Sequence, residues 1–550
     1  MPRQPIVKRK TVPMINLCEL RSNQPTKMKM KRLAKFAGFI AVILAGVFTS
    51  LAAETNSARP NIVFIIIDDL GWRDLSYMGS QFYESPAIDK LAAEGLVFNR
   101  AYEAAPRCVQ SRYSIITGKN HNRPELRGER GLAPDQGTIG KAFQQGGYAT
   151  FYAGKWHLGG EESYWPQHRG FDLNVGGCAL GALGTHFWPY YQTNKPSDIG
   201  VRESHNVAPY GLESGKPGEY IADRLTDETI KFLKSHKAEH PSQPFLVYLA
   251  HYQVHQPLEA KADDINYFEE KLKKMPKPTG PDFENDYTGK VKLKQDLPVY
   301  AAMIKSIDDS VAHIRQALAD LGYDKNTVIV FTSDNGGLST SDLLGNRSLS
   351  TSNKPLRTGK GWLYEGGNRV PLIVYWPGVT KPATRTDRAT VGTDYFPTFL
   401  DIAGLPLRPR EHLDGESFAR VLKGDFNFQR QQPIRWYFDD AKIGTGNTAM
   451  AAMLDGDKKL VQFIHEKKDE LYDIRQDIGE QHDLAAANPE TVAAMKAKLA
   501  AWEKDVVIKP LKQRQIEEIE KIIAETKGEK MSKDGKKKKR NGTATTTDDD

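Results

Sequence analysis

The chain has 550 residues, 39% of them apolar and 26% charged, which excludes a fibrous, collagen-like or wholly disordered protein and leaves room for two domains plus tails. The formal charge of +7 misleads: residues 1–52 hold ten Lys or Arg against the single acid Glu19, and without them the chain stands at about −2. The pI therefore carries no nucleic-acid inference.

Residues 27–53 run from K-M-K-M-K-R-L-A-K through the apolar stretch Phe36 to Leu51 into small residues, the three-part pattern of a secretory signal. Cleavage is expected after Ala52, with Ser50 third before the cut. A membrane anchor is the alternative reading, but the apolar stretch is short for a span, and no cysteine follows it to carry a lipid. The expectation is an exported chain, periplasmic or secreted, with no membrane attachment after cleavage. Cys18 leaves with the signal, so Cys108 and Cys178 remain and no disulfide framework is expected.

Asn61 to Ile67 (N-I-V-F-I-I-I) reads as a strand buried on both faces of a parallel sheet, and Asp68 and Asp69 follow at the end where open α/β sheets bind ligands. Adjacent carboxylates there repel unless a cation lies between them, and hard oxygen donors suit Ca²⁺ or Mg²⁺; two solvated acids in a turn are the plain alternative. The arrangement recurs. Tyr148 to Ala153 precedes Lys155 and His157, Phe245 to Ala250 precedes His251 and His255, and Thr327 to Thr332 precedes Asp334 and Asn335.

Apolar spacing predicts helices over Tyr220 to Lys234 and Tyr300 to Leu321, the latter with Ile304, Ile307, Val311, Ile314, Leu318 and Leu321 on one face. Strands alternating with such helices predict an α/β fold with a mostly parallel central sheet. Pro276 to Gly289 reads as a surface loop, and Ser111 to Thr117 as a short helix stopped by Gly118. Beyond Pro433, shorter alternating runs and a helix near Pro489 to Glu503 predict a small antiparallel sheet with a helix. The expected divisions are a signal over 1–52, a catalytic α/β domain over 59–430, a small α+β domain over 431–515, and a charged helix end with a disordered tail over 516–550.

The stretch C-V-Q-S-R-Y-S-I-I-T-G-K from Cys108, the pair at Asp68 and Asp69, K-W-H at Lys155 to His157, D-N at Asp334, and G-K-G-W-L-Y-E-G-G-N-R-V-P around Lys360 together resemble the signatures of type I sulfatases, in the alkaline-phosphatase superfamily. The resemblance runs from about Pro60 to about Asp483. It implies an alkaline-phosphatase-like fold and hydrolysis of sulfate monoesters of the arylsulfatase type on a sulfated small molecule or polysaccharide. It also implies a nucleophile made by oxidising Cys108 to formylglycine, and hence a formylglycine-generating maturation enzyme as partner. The third motif position, Pro or Ala in the family, is Gln110 here, which bears on recognition by that enzyme and not on the geometry of the site.

The resemblance further implies that Asp68, Asp69, Asp334, Asn335 and the group derived from Cys108 ligate one cation, Ca²⁺ in the family. Arg112, one helical turn from Cys108, would reach back to the cysteine-derived group; Lys155 would join it in drawing in an anion. His157 is the candidate base, His255 the candidate acid for the leaving group, and Lys360 the sulfate ligand; His251 is read as a supporting or structural histidine. Trp165, His168, His186, Trp188 and Tyr190 form a candidate wall for a sugar ring. Two alternatives stay open: a phosphate or phosphonate ester hydrolase of the same superfamily, and a silent fold that binds sulfated glycan if Cys108 is not matured.

Overall fold

A strand as apolar as Asn61–Ile67 needs partners on both edges and cover on both faces, and the chain supplies both. The computed structural model describes residues 59–123, 131–191, 207–277, 279–287, 289–342, 347–439 and 443–506; the expected signal and the 516–550 tail lie outside the described residues. The central sheet holds eight strands: β1 Asn61–Ile67, β2 Leu96–Phe98, β3 Ala149–Gly154, β4 Leu173–Val175, β5 Phe245–Ala250, β6 Thr327–Ser333, β7 Leu372–Tyr375 and β8 Thr384–Thr386. Their spatial order is β8-β2-β7-β6-β1-β5-β3-β4. Only β7 runs against its neighbours.

The period of two along β1 divides the core. Val63, Ile65 and Ile67 pack into one hydrophobic layer with Ile221–Glu239 and Pro298–Asp320, whereas Ile62, Phe64 and Ile66 pack into the other with Cys108–Thr117 and Tyr395–Ala403. We label these helices in chain order: α1 Cys108–Thr117, α2 Ile221–Glu239, α3 Pro298–Asp320 and α4 Tyr395–Ala403. Phe64 alone touches three rings, those of Tyr248, Tyr395 and Phe399, at centroid distances of 4.9, 5.2 and 5.1 Å.

The predicted helices form, with shifted ends. α3 stops at Asp320, leaving Leu321 as its cap, and α2 continues to Glu239 because the K-S-H-K-A-E tail, though polar, is made largely of good helix formers. The Pro276 to Gly289 loop is corrected: Phe283–Asp286 pairs antiparallel with Gly289–Lys292, and Arg357 holds Asp286 in a two-pronged ion pair at 2.7 Å. A strand this exposed gives no alternating apolar signal.

The C-terminal sheet is an antiparallel meander of β9 Ile434–Phe438, β10 Met450–Asp455, β11 Lys458–Phe463 and β12 Lys468–Asp473, with helix α5 Pro489–Asp505 against it. Tyr437, Ala451, Met453, Leu460 and Leu471 face α5, and the alternate positions face Tyr102, Trp362 and Tyr364. That alternation turns Lys459 inward, where it is wholly buried between Glu365 (2.8 Å) and Glu480 (3.0 Å). Arg369 also holds Glu365, at 2.9 Å. A buried charge stripped of one partner is costly, so Lys459→Met is expected to lower stability by about 3–5 kcal/mol in urea unfolding, and a loss under about 1 kcal/mol would contradict this reading of the ion cluster.

Candidate active site

Four neighbouring strands, in the order β6-β1-β5-β3, all run in one direction, so the residues just past their ends gather at one lip of the sheet. Asp68 and Asp69 leave β1, Lys155 and His157 leave β3, His251 and His255 leave β5, and Asp334 and Asn335 leave β6. Cys108 is the first residue of α1, and Lys360 arrives on the loop before Glu365. The loop after β6 and the Lys360 loop touch so closely that a Cβ on Gly336 would lie 1.9 Å from the Gly366 carbonyl oxygen, and the Lys360 loop folds on itself so tightly that one on Gly367 would lie 1.9 Å from the Trp362 carbonyl oxygen. The double glycines of D-N-G-G and Y-E-G-G are therefore steric requirements.

Carboxylate oxygens of Asp68, Asp69 and Asp334 all lie within 4.8 Å of one another, and all three residues are buried. Each has a basic partner. Lys155 Nζ donates to Asp68 Oδ2 at 2.6 Å, Arg112 Nε donates to Asp334 Oδ2 at 2.8 Å, and Lys360 Nζ donates to Asp69 Oδ2 at 3.0 Å. Burial pushes the Asp68 carboxyl well up, against the pull of Lys155, and Asp334 and Asp69 push it further. Burial opposes the charge on Lys155, but Asp68 and then Cys108 outweigh it and its pKa rises.

The oxygen donors suit a hard divalent cation. Asn335 Nδ2 donates to Asp69 Oδ1 at 2.7 Å and to the Gly336 carbonyl at 2.9 Å, which fixes the amide and leaves the buried Asn335 Oδ1 without a hydrogen bond. Asp68 Oδ1 is likewise buried and accepts none. Two unsatisfied oxygens among three crowded carboxylates are a donor set whose cost a cation would relieve. Asp69 and His157 sit in the left-handed backbone region, at φ 62° and 60°, a strain that non-glycine residues bear mainly at functional sites.

The ten site residues predicted from sequence converge, with one altered contact. Arg112 does not reach back to Cys108; its guanidinium goes to Asp334 and, through Nη1, to the Lys155 carbonyl at 2.8 Å. His157 Nδ1 is the group beside Cys108, 3.6 Å from Sγ. His255 Nε2 is 3.8 Å from Asp69 Oδ2, with Nδ1 held at 2.7 Å by the Gln256 carbonyl. His251 is structural: fully buried, it meets Ser310 of α3 at 3.0 Å.

The sugar wall is corrected at two of its five residues: Tyr190 and His186 are fully buried, and Tyr190 donates to Glu219. His168 is exposed, and Trp165, against Tyr210, and Trp188 are half-buried. Aromatic composition in a loop does not distinguish a ring that packs inward from one that is presented. Two supporting residues carry no sequence signal of their own. Ser111 Oγ, one turn into α1, donates to the Asp334 carbonyl at 2.5 Å, and Glu103 is fully buried beneath the site, its carboxyl pushed well up by burial and then by Asp334.

An α/β lip that gathers acids, bases and a helix-borne thiol has the groups of a hydrolase site. Residues 60–405 match the family model described as Sulfatase, and residues 358–505 match one described as N-sulphoglucosamine sulphohydrolase, C-terminal. Among curated relatives, N-acetylgalactosamine-6-sulfatase of Mus musculus is 30% identical over 425 residues, covering 74% of this chain and 72% of its own. A sulfatase of Formosa agariphila is 28% identical over 554 residues, covering 86% and 94%. Among solved structures, Ps i-CgsB in complex with k-i-k-neocarrahexaose is 29% identical with a TM-score of 0.65, over 81% of this chain and 92% of that one. The chain belongs to the sulfatase family and is a sulfuric ester hydrolase.

Burial holds both His186 and His251 neutral, with pKa values lowered to about 3, in His186 with a smaller push from His255. A folded pKa below the unfolded one means that the unfolded chain takes up the proton first, so stability is full above about pH 6.5 and falls as the pH drops below it. Between pH 7 and pH 5 each histidine should remove about 2 kcal/mol, and His251→Gln should abolish its share in urea unfolding at the two pH values. An unchanged pH dependence in that variant would contradict the assignment.

Proposed function

We propose that the chain is an exported calcium-dependent sulfatase that removes sulfate from a sulfated carbohydrate, with a formylglycine made from Cys108 by a dedicated maturation enzyme. The observation that carries this reading is the placement of Cys108 at the start of α1, 3.6 Å from His157 and within the charge field of Lys155, beside three carboxylates gathered within 4.8 Å. Support for the carbohydrate comes from the similar chains, one named N-acetylgalactosamine-6-sulfatase and one solved in complex with k-i-k-neocarrahexaose. Support for export comes from the basic, apolar and small-residue pattern of residues 27–53. Among the described residues no helix is long and apolar enough to cross a membrane.

Asp68, Asp69, Asp334 and Asn335 would hold the cation, with Mg²⁺ the alternative to Ca²⁺. When present, the cation and the hydrated aldehyde supply a Lewis acid for the sulfate oxygens and a hydroxyl nucleophile for sulfur. The protein's own groups do the rest. Three bases balance three acids in the site as described, so a divalent cation among the carboxylates makes the pocket net positive and frees Lys155 and Lys360 to face an anion. Lys360 orients the sulfate. His157 accepts the proton from the group at position 108 and so prompts sulfate release, and His255 delivers a proton to the departing alkoxide. Its Nδ1 is held by the Gln256 carbonyl, which points Nε2 at the site.

Intact-mass analysis of the peptide that contains Cys108, together with turnover of 4-nitrophenyl sulfate and 4-nitrophenyl phosphate, tests the proposal. The mass change for replacement of the thiol sulfur and two hydrogens by one aldehyde oxygen, and faster turnover of the sulfate, are expected, with Cys108→Ala at least about a thousandfold slower. An unmodified thiol in active protein, or a preference for phosphate, would overturn it. In the matured enzyme, Lys360→Ala should weaken sulfate ester turnover by about tenfold to a hundredfold in kcat/KM, as expected for the loss of one charge-assisted contact.

A further inference from the structure

A cavity of about 550 Å³ opens where the edge strand β8 and its neighbour β2 approach the C-terminal sheet, and a second of about 490 Å³ adjoins it across the Gln432 to Ile434 wall. Five arginines, Arg100, Arg385, Arg388, Arg430 and Arg475, line the first against three acids, Asp387, Asp455 and Asp457; in the second, Arg123, Arg430, Arg435 and Lys498 stand against Asp414, Glu416 and Asp505. Some of this charge is answered. Arg100 pairs with Asp457 at 2.7 Å, Arg475 lies 3.6 Å from the same carboxylate, and Arg430 is clamped on Asp394.

The remainder is not. Arg388 is fully buried and lies 3.8 Å from Asp394, the carboxylate that Arg430 clamps; Arg430 has a second acid, Glu416, at 4.0 Å, but among the described residues Arg388 has no carboxylate of its own. Its Nη1 donates to the Ala389 carbonyl, but Nε and Nη2 have no acceptor, and neither does the buried Nε of Arg435. Burial lowers the pKa of both side chains, and repulsion from Arg430 lowers each further. Buried donors without acceptors cost free energy; water can satisfy the N–H groups but not the charge, whereas an oxyanion satisfies both.

The position in the fold connects this cavity to the reaction centre. β2 and β8 run in the same direction as β6 and β1, and Arg100 and Arg388 follow them by two residues, at the lip where the acids gather. Three to four strand spacings separate them from β1, about 14–19 Å, the reach of a short oligosaccharide. We propose that this arginine cavity is a second anion site, which holds a sulfate group further along the glycan chain whose terminal sulfate ester is hydrolysed. The site would favour polysulfated chains over monosulfated ones. It rests on the sulfatase reading above.

Binding rather than turnover tests it, by calorimetry on the full chain carrying Cys108→Ser. The probes are a dextran sulfate oligomer, neutral dextran of equal length, and inorganic sulfate. The exposed pair Arg385→Gln and Arg475→Gln is the cleaner variant, because Arg388 is packed on Asp394 and on the Phe418 and Phe428 rings. Dextran sulfate should bind, neutral dextran should not, inorganic sulfate should bind more weakly, and the double variant should lose about tenfold in affinity for dextran sulfate. Unchanged affinity in the double variant, equal binding of neutral dextran, or inorganic sulfate binding as tightly as dextran sulfate would each overturn the proposal. Failure of the sulfatase reading would show separately, as absent 4-nitrophenyl sulfate turnover with every arginine in place.

Discussion

Asp68, Asp69 and Asp334 are forced together because β1 and β6, which carry them to the lip of the sheet, lie side by side in parallel, in register from Asn61 opposite Thr327 to Ile67 opposite Ser333. Once the backbone is set, three buried carboxylates have nowhere else to go, and their mutual repulsion must be met by positive charge from outside those two strands. Lys155 from β3, Arg112 from α1 and Lys360 from a distant loop supply it. The architecture of the site is thus an answer to an electrostatic problem posed by the sheet. The same bases become available to an anionic ester when a divalent ion takes over the carboxylates, so charge balance links resting structure to substrate binding.

That answer depends on parts of the chain far from the lip. Lys360 reaches Asp69 only because two glycine pairs let the loops of residues 334–337 and 359–367 interlock, and because Glu365 just beyond it is anchored by Arg369 and by Lys459 from the C-terminal sheet. Trp436 of β9 donates to the Glu103 carbonyl at 2.7 Å, five residues before Cys108, and Arg107 donates to Thr445 at 2.7 Å and Asn447 at 3.0 Å. The C-terminal sheet therefore braces both signature loops. Its burial of charged groups is conditional on mutual pairing, which ties the shape of the site to the folding of residues 434–505.

Strands and their terminal polar groups were legible in the sequence because runs such as F-L-V-Y-L-A have no reading except burial, and because residues past a parallel strand's end have only one side of the sheet to occupy. The family signatures located Cys108 and Lys360, which periodicity alone does not. What stayed hidden depends on three-dimensional partners. Arg112 turns to Asp334 because a buried carboxylate outcompetes a thiol for a guanidinium; Tyr190 and His186 are buried in the folded chain; Lys459 is turned inward by the β11 pleat onto Glu365 and Glu480, partners distant in sequence. The exposed hairpin strand Phe283–Asp286 is held by pairing and by Arg357, neither of which leaves a local pattern.

Calorimetric titration of Ca²⁺ into metal-stripped protein addresses the central claim directly, because the gathered carboxylates and the unsatisfied oxygens of Asp68 and Asn335 are held to be a cation site whatever the state of Cys108. The expected result is one ion bound per chain, with binding lost in Asp334→Asn. Absence of saturable binding in the folded wild-type chain, or binding undiminished in that variant, would contradict it.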